Sequence, residues 1–545
     1  MRYLILMVVT LAFALPGIWA VPPVDRDEGR YVQATKQMIE TGDYIDIRLQ
    51  DVPRYKKPVG IYWAQSAAIH LSGQGADAPL WVYRLVSALG ALITIAAVAW
   101  TGTRLFGAQA GFISALAMSA TFGVVFEAHI AKTDSMLLGF TTLAMGALAQ
   151  IYVARKSDAP QRRETVWIFW AAMGLGVLVK GPITPLLAAL TVAALLIFDR
   201  ERGWFRDLKP LRGLAVTAAI ALPWFVAITW ISGGSFWLES VGVDLVGKAV
   251  SGQESHGAPP GYYSITYGLY VWPFGPLFLA AGLAALNHLR ADPRLLFIAC
   301  WYIPFWLLYE MLPTKLPHYV LPVYPALALL VGWAFAGAVD LSPAVLRRWQ
   351  RWLLWFSVAG QIALSLVLAL GAMAGPVYLG DGFRVSSIFA AIAIVVAGTF
   401  GALAIRRMRL REIAYTLGAA AIAYAIVFAD IVPSMTRIWM SPRIASAVEI
   451  ASSCESTQLA SVRFHEPSLV FLTDTETLLT NVEGAANHLI GDPACALALV
   501  PHNESVALRD LAAAAGHDLK MVAQIEGVNY SKGHDLAMQL FKVAN

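Results

Sequence analysis

The sequence predicts an all-α polytopic membrane protein, and three observations of composition support that fold class. Hydrophobic residues make up 58% of the 545 residues and charged residues only 14%, whereas soluble proteins carry roughly 25% charged residues. The apolar residues occur in long blocks, which differ from the short alternating segments of a membrane β-barrel. Three cysteines are too few for a disulfide-stapled secreted scaffold. We attribute the net charge of +4 to loop topology and expect no binding to nucleic acid.

Long apolar segments define the expected membrane spans, because a helix needs about 20 mostly apolar residues to cross the hydrocarbon core. The first segment is interpreted as a retained signal anchor, since its apolar run exceeds that of a signal peptide and Ile18-Trp19-Ala20 is a poor cleavage site. About thirteen segments meet the criterion, at approximately 3–21, 82–103, 109–128, 136–154, 165–180, 183–199, 211–232, 263–288, 294–312, 319–339, 352–374, 385–405 and 413–432. Residues 1–432 are therefore predicted to form a transmembrane domain.

Basic residues in the short loops predict the orientation of these spans, because cytoplasmic loops carry an excess of Lys and Arg. If the N-terminus is cytoplasmic, the loops around 155–163, 200–212, 347–351 and 406–411 all face the cytoplasm. An odd number of spans then places the tail in the periplasm.

The tail, residues 433–545, is more polar and is predicted to form a small periplasmic α/β domain. Short β-like runs alternate in it with helical stretches such as Val506 to Ala515. An extracytoplasmic compartment permits disulfides, so we predict a bridge between Cys454 and Cys495. Two buried free thiols are the alternative.

The first outer loop, residues 22–81, contains adjacent carboxylates at Asp27 and Glu28. Two amphipathic helices are predicted in this loop, both lying flat at the membrane surface with Tyr62 and Trp63 at headgroup depth. The two acids have a structural explanation as a helix cap and a first-turn acid stabilised by the helix dipole. They also have a functional explanation, because a carboxylate can act as the general base for an attacking hydroxyl.

The other outer loops repeat this pattern of polar side chains at span ends, on the same side of the membrane. A short hydrophilic turn at 127–134, snorkelling of Lys180 and a structural role for His256 are the simpler explanations. Cations and phenols at headgroup level would instead suit a lipid phosphate. The candidate side chains are Lys132, Asp134, Lys180, His256, Tyr262, Tyr263, Lys315, His318 and Tyr319.

These motifs together resemble the aminoarabinose-transferase-like branch of the GT-C glycosyltransferases, which is related to the protein O-mannosyltransferases. Each motif is short, but their order and common sidedness make the resemblance specific, and it covers most of the chain. The motifs are Asp27-Glu28-Gly29-Arg30-Tyr31, Tyr55-Lys56-Lys57-Pro58, Lys132-Thr133-Asp134, Lys180-Gly181-Pro182, the stretch from His256 to Tyr263, Leu316-Pro317-His318-Tyr319-Val320-Leu321-Pro322 and Glu466-Pro467-Ser468-Leu469-Val470-Phe471.

The resemblance implies a role for each candidate residue. Asp27 would be the principal catalytic carboxylate, with Asp134 and Glu28 as further catalytic acids. Donor phosphate binding would fall to Arg30, Lys57, Tyr319, Lys315 and His318, and acceptor binding or support to Lys132, Lys180, His256, Tyr262 and Tyr263. Family members often carry an acid where this chain has Lys56, and that acid can take part in a metal site. We therefore expect no bound metal and no cofactor.

The resemblance also implies a reaction: transfer of a sugar, with inversion, from undecaprenyl phosphate to an outer-leaflet acceptor such as lipid A. The enzyme would act as a monomer among the lipids of the bacterial inner membrane. Transfer to a protein acceptor is one alternative, and a lipid flippase or secondary transporter is another. The sugar stays open: an amino sugar would call for acids around it, whereas a uronic acid would call for cations, as Lys56 mildly favours.

Overall fold

The computed structural model describes most of the chain and shows a large helical body joined to a C-terminal sheet. The described residues are 1–157, 162–247, 257–337, 339–341, 343–407, 410–452, 454, 457–530 and 533–544.

Helices form most of the described residues up to residue 431. The helices up to residue 246 are α1 (Arg2–Ala14), α2 (Asp27–Thr41), α3 (Gly60–Ser72), α4 (Leu80–Phe106), α5 (Ala108–Ser119), α6 (Phe122–Ala128), α7 (Thr133–Lys156), α8 (Arg163–Lys180), α9 (Ile183–Phe198), α10 (Gly203–Asp207), α11 (Pro210–Ile231), α12 (Ser235–Trp237) and a π-helix (Leu238–Val246). They are followed by α13 (Tyr262–Tyr270), α14 (Gly275–Ala285), α15 (Pro293–Met311), a 3-10 helix (Pro317–Val323), α16 (Tyr324–Ala336), α17 (Arg348–Leu379), α18 (Val385–Arg407), α19 (Leu410–Ile426) and a π-helical turn (Val427–Ile431).

Fewer helices than the hydropathy pattern predicts are long and apolar enough to cross a membrane. Within the described ranges, eight helices are long and apolar enough to cross a membrane, and ten if two bent pairs each count as one span. The pair α5 and α6 bends by 63° and the pair α13 and α14 by 119°. Helices α1 and α9 are apolar but shorter than a full span. A hydropathy window registers apolar content and not bends or helix ends, so thirteen crossings stay a prediction.

Close packing of α4 against α7 fixes the start of α7, which carries Asp134. A Cβ atom on Gly90 of α4 would lie 2.5 Å from the backbone carbon of Ser135, so only glycine allows this approach. The hydroxyl of Ser135 also donates to the carbonyl of Ser87 at 2.6 Å. The backbone beside Asp134 is therefore held firmly.

The first outer loop is a packed structure, and its orientation relative to the membrane surface stays a prediction. It contains α2, a two-stranded hairpin of β1 (Arg48–Leu49) and β2 (Val52–Pro53), and α3. The side chain of Tyr62 is fully buried and its ring packs 5.5 Å from that of Tyr31, and its position at headgroup depth stays a prediction. Trp63, the next residue, is 38% exposed. Tyr62 joins α3 to α2.

The C-terminal segment combines a five-stranded sheet with flanking helices. Strands β3, β4 and β5 are parallel, and β7 runs antiparallel to both β5 and β6, in the order β4-β3-β5-β7-β6. Cys454 and Cys495 form the predicted disulfide, with their Cα atoms 5.6 Å apart. The strands are β3 (Leu459–Val462), β4 (Leu478–Thr480), β5 (Leu497–Pro501), β6 (Leu519–Asn529) and β7 (His534–Val543), and the helices are α20 (Met440–Ala451), α21 (Pro467–Leu472), α22 (Val482–Gly491) and α23 (Ser505–Ala514). Its status as a separate domain from residue 433 stays a prediction.

Contacts from this C-terminal segment hold the chain just before α2. The backbone N–H of Asp25 donates to the Tyr530 hydroxyl at 2.6 Å, and the Ser468 hydroxyl donates to the Asp25 carboxyl group. A Cβ atom on Gly29 would lie 2.7 Å from the backbone nitrogen of Ser468, so the first turn of α2 packs directly against α21. The segment that carries Asp27 is therefore bound by residues more than 400 positions away.

Candidate active site

Two adjoining cavities lie where the first outer loop meets the ends of α7 and α8. One is a large, mainly apolar cavity of about 820 Å³, and the other is a narrow polar chamber of about 80 Å³. The residues that line both are Lys56, Lys57, Asp134, Lys180, Asp244, Thr314, His318 and Tyr319. Sequence-predicted residues from four separate stretches of the chain therefore meet at one junction between apolar and charged surroundings.

Asp27 opens helix α2 and lines the polar chamber. Its side chain is 54% exposed, and the nearest basic group in an ion pair is Arg30 Nη1 at 3.9 Å. Burial alone would raise the pKa of Asp27, but the charges of Lys132 and His318 outweigh it and lower the pKa below its ordinary value. Asp27 is consequently an anion at neutral pH, open to a ligand in the chamber.

Glu28, predicted as catalytic, lies in the protein interior and is fully buried. Its carboxylate accepts hydrogen bonds from Arg84 Nε and Nη2 at 2.8 Å, from Ala131 N at 2.7 Å and from Val24 N at 2.8 Å. Neighbouring residues on a helix point about 100° apart, so Glu28 faces inward when Asp27 faces the chamber. The geometry therefore makes Glu28 a residue that ties two loops together, and the catalytic prediction is corrected.

Asp134 is buried and surrounded by two lysines and a histidine. Lys180 Nζ donates to its carboxylate at 2.5 Å, Lys132 Nζ lies 3.5 Å away and His318 Nε2 lies 3.7 Å away. Its three partners come from three parts of the chain, namely the loop before α7, the end of α8 and the 3-10 helix. Contacts with this one carboxylate therefore bring the three parts together beside the polar chamber.

Lys132 forms a second contact behind this group. Its Nζ lies 3.1 Å from the carboxylate of Glu127, which is fully buried. Burial would lower the pKa of Lys132, but the carboxylates of Glu127 and Asp134 raise it above its ordinary value. Lys132 therefore stays charged and supports Asp134 from the protein side.

Lys57, predicted to bind phosphate, lines both cavities and forms an ion pair with Asp244. Asp244 belongs to the π-helix and is itself buried. Lys180 Nζ lies 5.8 Å from the centre of the Tyr319 ring, and both residues also line the two cavities. This arrangement offers donors for an anion at the mouth of the apolar cavity.

Besides Glu28 and Lys132, three predicted residues lie away from the lining of these cavities, namely Lys315, Tyr262 and Tyr263. Lys315 is 3% exposed and its Nζ donates to the carbonyl of Leu312 in its own loop, which corrects its prediction as a phosphate ligand. Tyr263 is fully buried, and its ring centre lies 5.3 Å from that of Tyr262. The two tyrosines thus pack against each other in α13. His256 lies outside the described residues.

The structure also brings in chamber residues that the sequence reasoning did not select. Arg54 lines the polar chamber with its guanidinium carbon 5.3 Å from the centre of the Tyr31 ring, and its Nε donates to the Tyr62 hydroxyl at 3.3 Å. Arg54 stands only three residues before Lys57 in the sequence, and this proximity could have indicated that it belongs to the same site. Asp244 had none, because nothing in its local sequence distinguishes it from another acid in an outer loop.

Comparisons with known proteins agree with this arrangement. A family model described as dolichyl-phosphate-mannose-protein mannosyltransferase matches residues 56–227. The undecaprenyl phosphate-alpha-4-amino-4-deoxy-L-arabinose arabinosyl transferase of Pectobacterium carotovorum is 25% identical over 417 residues, which are 74% of this chain and 71% of the relative. The enzyme of the same description from Aeromonas salmonicida is 24% identical over 494 residues, 86% of this chain and 83% of the relative.

A solved structure shares the whole fold. The crystal structure of ArnT from Cupriavidus metallidurans bound to undecaprenyl phosphate superposes with a TM-score of 0.77, at 22% identity, over 99% of this chain and 97% of that one. At this identity the likeness establishes a common architecture. The sequence relatives and the common fold together confirm the resemblance that the motifs predicted.

Proposed function

Because the chain belongs to the aminoarabinose-transferase-like family of GT-C glycosyltransferases, we propose that it transfers a sugar from a polyprenyl-phosphate donor to lipid A or another outer-leaflet acceptor. The observation that carries this proposal is the junction of the two cavities. Lys57 and Lys180 line both the large apolar cavity and the polar chamber, and the chamber is also lined by Asp27. A prenyl phosphate sugar has the same order of parts: an apolar tail, a phosphate and a polar ring.

The donor would be bound in three zones. The prenyl tail occupies the apolar cavity, where residues such as Leu137, Leu186 and Phe225 exclude water. The phosphate lies against Lys57 and Lys180, which supply charged hydrogen bonds. The sugar then reaches into the polar chamber.

In the proposed reaction an acceptor oxygen attacks the anomeric carbon while the bond from that carbon to the phosphate oxygen breaks. The electron pair leaves with the polyprenyl phosphate, and Lys57 and Lys180 stabilise the developing charge. Configuration at the carbon inverts because attack and departure occur on opposite faces. The donor ester supplies the driving force, so the proposed step uses no nucleotide.

The acceptor decides what Asp27 does. A hydroxyl acceptor releases a proton, and Asp27 is placed to take it as a general base. A phosphate acceptor brings no such proton, and Asp27 would then stabilise the positive charge that develops on the sugar ring. The lowered pKa of Asp27 favours this electrostatic role, because a weakly basic carboxylate stays ionised beside a cationic ring.

A protein acceptor is the second candidate, because the matched family model describes a protein mannosyltransferase. The chemistry at the anomeric carbon would be identical. Incubation of the purified enzyme with either lipid A or an envelope protein extract, followed by mass spectrometry, separates the two acceptors.

The proposal also covers the location, the oligomeric state and the orientation of the protein. We expect the protein in the bacterial inner membrane as a monomer, with its N-terminus in the cytoplasm and the C-terminal segment in the periplasm. We expect neither a cofactor nor a metal ion to take part.

The test is transfer of labelled sugar from a polyprenyl phosphate to lipid A by the purified protein in liposomes. We expect Asp27→Asn to lower kcat by about 10²- to 10⁴-fold, since a positioned acid–base or charged group contributes on that scale. Lys57→Ala should raise the KM for the donor. Asp77→Asn, which changes an exposed acid of the same loop outside both cavities, is the matched control. Unchanged turnover in both active-site variants would refute the proposal.

A further inference from the structure

We propose that Arg54, together with Lys56, forms a second anion-binding subsite in the polar chamber, which takes the carboxylate of an acidic sugar. The inference rests on the proposed function and adds a substrate class to it. The subsite is separate from the phosphate position between Lys57 and Lys180. A phosphate group on the acceptor has the same chemistry, and the experiment below distinguishes the two sources.

Two tyrosines hold the Arg54 side chain in a fixed orientation that suits the binding of an anion. The buried ring of Tyr31 supports its guanidinium group, and the hydroxyl of fully buried Tyr62 accepts from Nε. Among the residues that the structure describes, no protein group accepts a hydrogen bond from Nη1 or Nη2 of Arg54. Two parallel N–H donors in a fixed plane match the two oxygens of a carboxylate or a phosphate.

The ion pairs of the chamber lead to the same conclusion. Three of its cations have a carboxylate within 4 Å: Lys57 pairs with Asp244, Lys180 with Asp134 and Arg30 with Asp27. Within the described part of the chain, Arg54 has no such carboxylate.

The lining of the chamber therefore carries more positive than negative charge. It contains the basic side chains Arg30, Arg54, Lys56, Lys57 and Lys180 but only the acids Asp27, Asp134 and Asp244. A basic lining of this kind suits an anionic ligand.

The position of Arg54 indicates that the bound anion is part of a reacting group and not of the prenyl tail. Arg54 lines only the polar chamber, together with Asp27, whereas Lys56 lies at the junction with the apolar cavity. The anomeric carbon must lie near Asp27 for the proposed reaction. A group held by Arg54 consequently belongs to the transferred sugar or to the acceptor beside it, and an ammonium group there would be repelled by like charge.

The experiment compares three synthetic donors with one prenyl tail: a uronic acid sugar, its neutral hexose counterpart and an amino sugar. Binding to the purified protein in detergent is measured by calorimetry, and transfer is measured separately to phosphorylated and to dephosphorylated lipid A. We expect the wild type to prefer the uronic acid donor over the hexose by about 10- to 100-fold in Kd and in kcat/KM, as expected for charged hydrogen bonds. Arg54→Gln should abolish this preference and leave the affinity for the hexose donor unchanged.

Two further variants keep the test decisive. Lys56→Gln changes an exposed side chain and should reduce the preference even if Arg54→Gln folds poorly. Arg48→Gln makes the same substitution in the same loop, at an arginine that pairs with Asp46 outside both cavities, and should keep the full preference.

Each outcome has one interpretation. Equal binding of the three donors by the wild type, with no Arg54-dependent preference for phosphorylated over dephosphorylated lipid A, would overturn the subsite. If Arg54→Gln loses only the preference for phosphorylated lipid A, the bound anion is the acceptor phosphate. Tight, Arg54-dependent binding of the uronic acid donor without any transfer would establish the subsite and refute the proposed reaction instead.

Discussion

Asp27 and Glu28 are adjacent, equally charged residues whose surroundings give them different tasks. Asp27 is half exposed in the polar chamber, whereas Glu28 is buried and bonded to Arg84 and to two backbone N–H groups. Arg84 in turn donates to the carbonyls of Ile18 and Val21. The pair therefore fixes the loop before α2 to the loop before α7.

Replacing Glu28 by Gln should destabilise the protein strongly. The change leaves the buried Arg84 guanidinium without its counter-charge, and breaking such a pair costs about 3–5 kcal/mol. Thermal denaturation in detergent should show a clearly lower midpoint for Glu28→Gln. The matched change Asp27→Asn should leave the midpoint near that of the wild type, and a similar loss in both variants would contradict these assignments.

The ion pair between Lys57 and Asp244 predicts competition between the π-helix and the donor phosphate. The incoming phosphate must displace the Asp244 carboxylate from the Lys57 ammonium group. We expect Asp244→Asn to lower the Kd for the donor by about 3- to 10-fold, which corresponds to the 0.5–1.5 kcal/mol of a typical net hydrogen bond. Titration calorimetry measures this directly, and weaker binding would show instead that Asp244 orients Lys57 for the ligand.

At the scale of elements, the contact between α21 and the start of α2 determines where Asp27 stands. The Ser468 hydroxyl donates to Asp25, two residues before Asp27, and Glu466 adds a further negative charge nearby. Burial raises the pKa of Asp25 from its ordinary 3.8 to about 7, although the Ser468 hydrogen bond opposes the shift and Glu466 reinforces it. Burial and the charge of Glu466 therefore favour the protonated form of Asp25, whereas the Ser468 hydrogen bond by itself favours the ionised form.

This raised pKa predicts a dependence of stability on pH with a definite sign. The folded protein holds the Asp25 proton up to about pH 7, while the unfolded chain releases it near pH 4, so the contribution to stability falls as pH rises between these values. Asp25→Asn should therefore raise the thermal midpoint more at pH 8 than at pH 5, by roughly 2–4 °C for each kcal/mol relieved. A constant difference across this range would exclude the titration of Asp25 as its cause.

At the scale of the whole molecule, the fold brings an apolar cavity and a charged chamber together from both halves of the helical body. The order and sidedness of the motifs predicted that Asp27, Lys57, Asp134 and Tyr319 would meet, and they do. The support of Arg54 by Tyr62 was not predictable, because α3 was expected to lie flat on the membrane.

Local sequence could not determine the number of membrane crossings, for a related reason. Residues 109–128 read as one apolar block, yet the helix breaks before Phe122 and turns by 63°. The backbone N–H of Phe122 donates to the carbonyl of Trp272 at 2.9 Å, a partner 150 residues away. Hydropathy contains no information about such a contact.

The apolar cavity predicts that affinity depends on the length of the prenyl tail. Each buried CH₂ group contributes about 0.8 kcal/mol, so a donor with a geranyl tail should bind far more weakly than the undecaprenyl donor. Leu186→Gln, in the cavity wall, should weaken binding of the long donor and leave that of the geranyl donor nearly unchanged. Leu222→Gln, at a site that is 52% exposed on the outer face of α11, is the control. Equal losses for both donors would place the tail elsewhere.

The hydrogen bond from Asp25 to Tyr530 has a consequence for biosynthesis. It joins residues 505 positions apart, and Tyr530 directly follows β6. The ribosome must therefore synthesise nearly the whole polypeptide before the turn that carries Asp27 acquires this partner. A nascent chain that already holds every helix of the membrane body still lacks this contact, so the turn before α2 reaches its final surroundings only after β6 has been made.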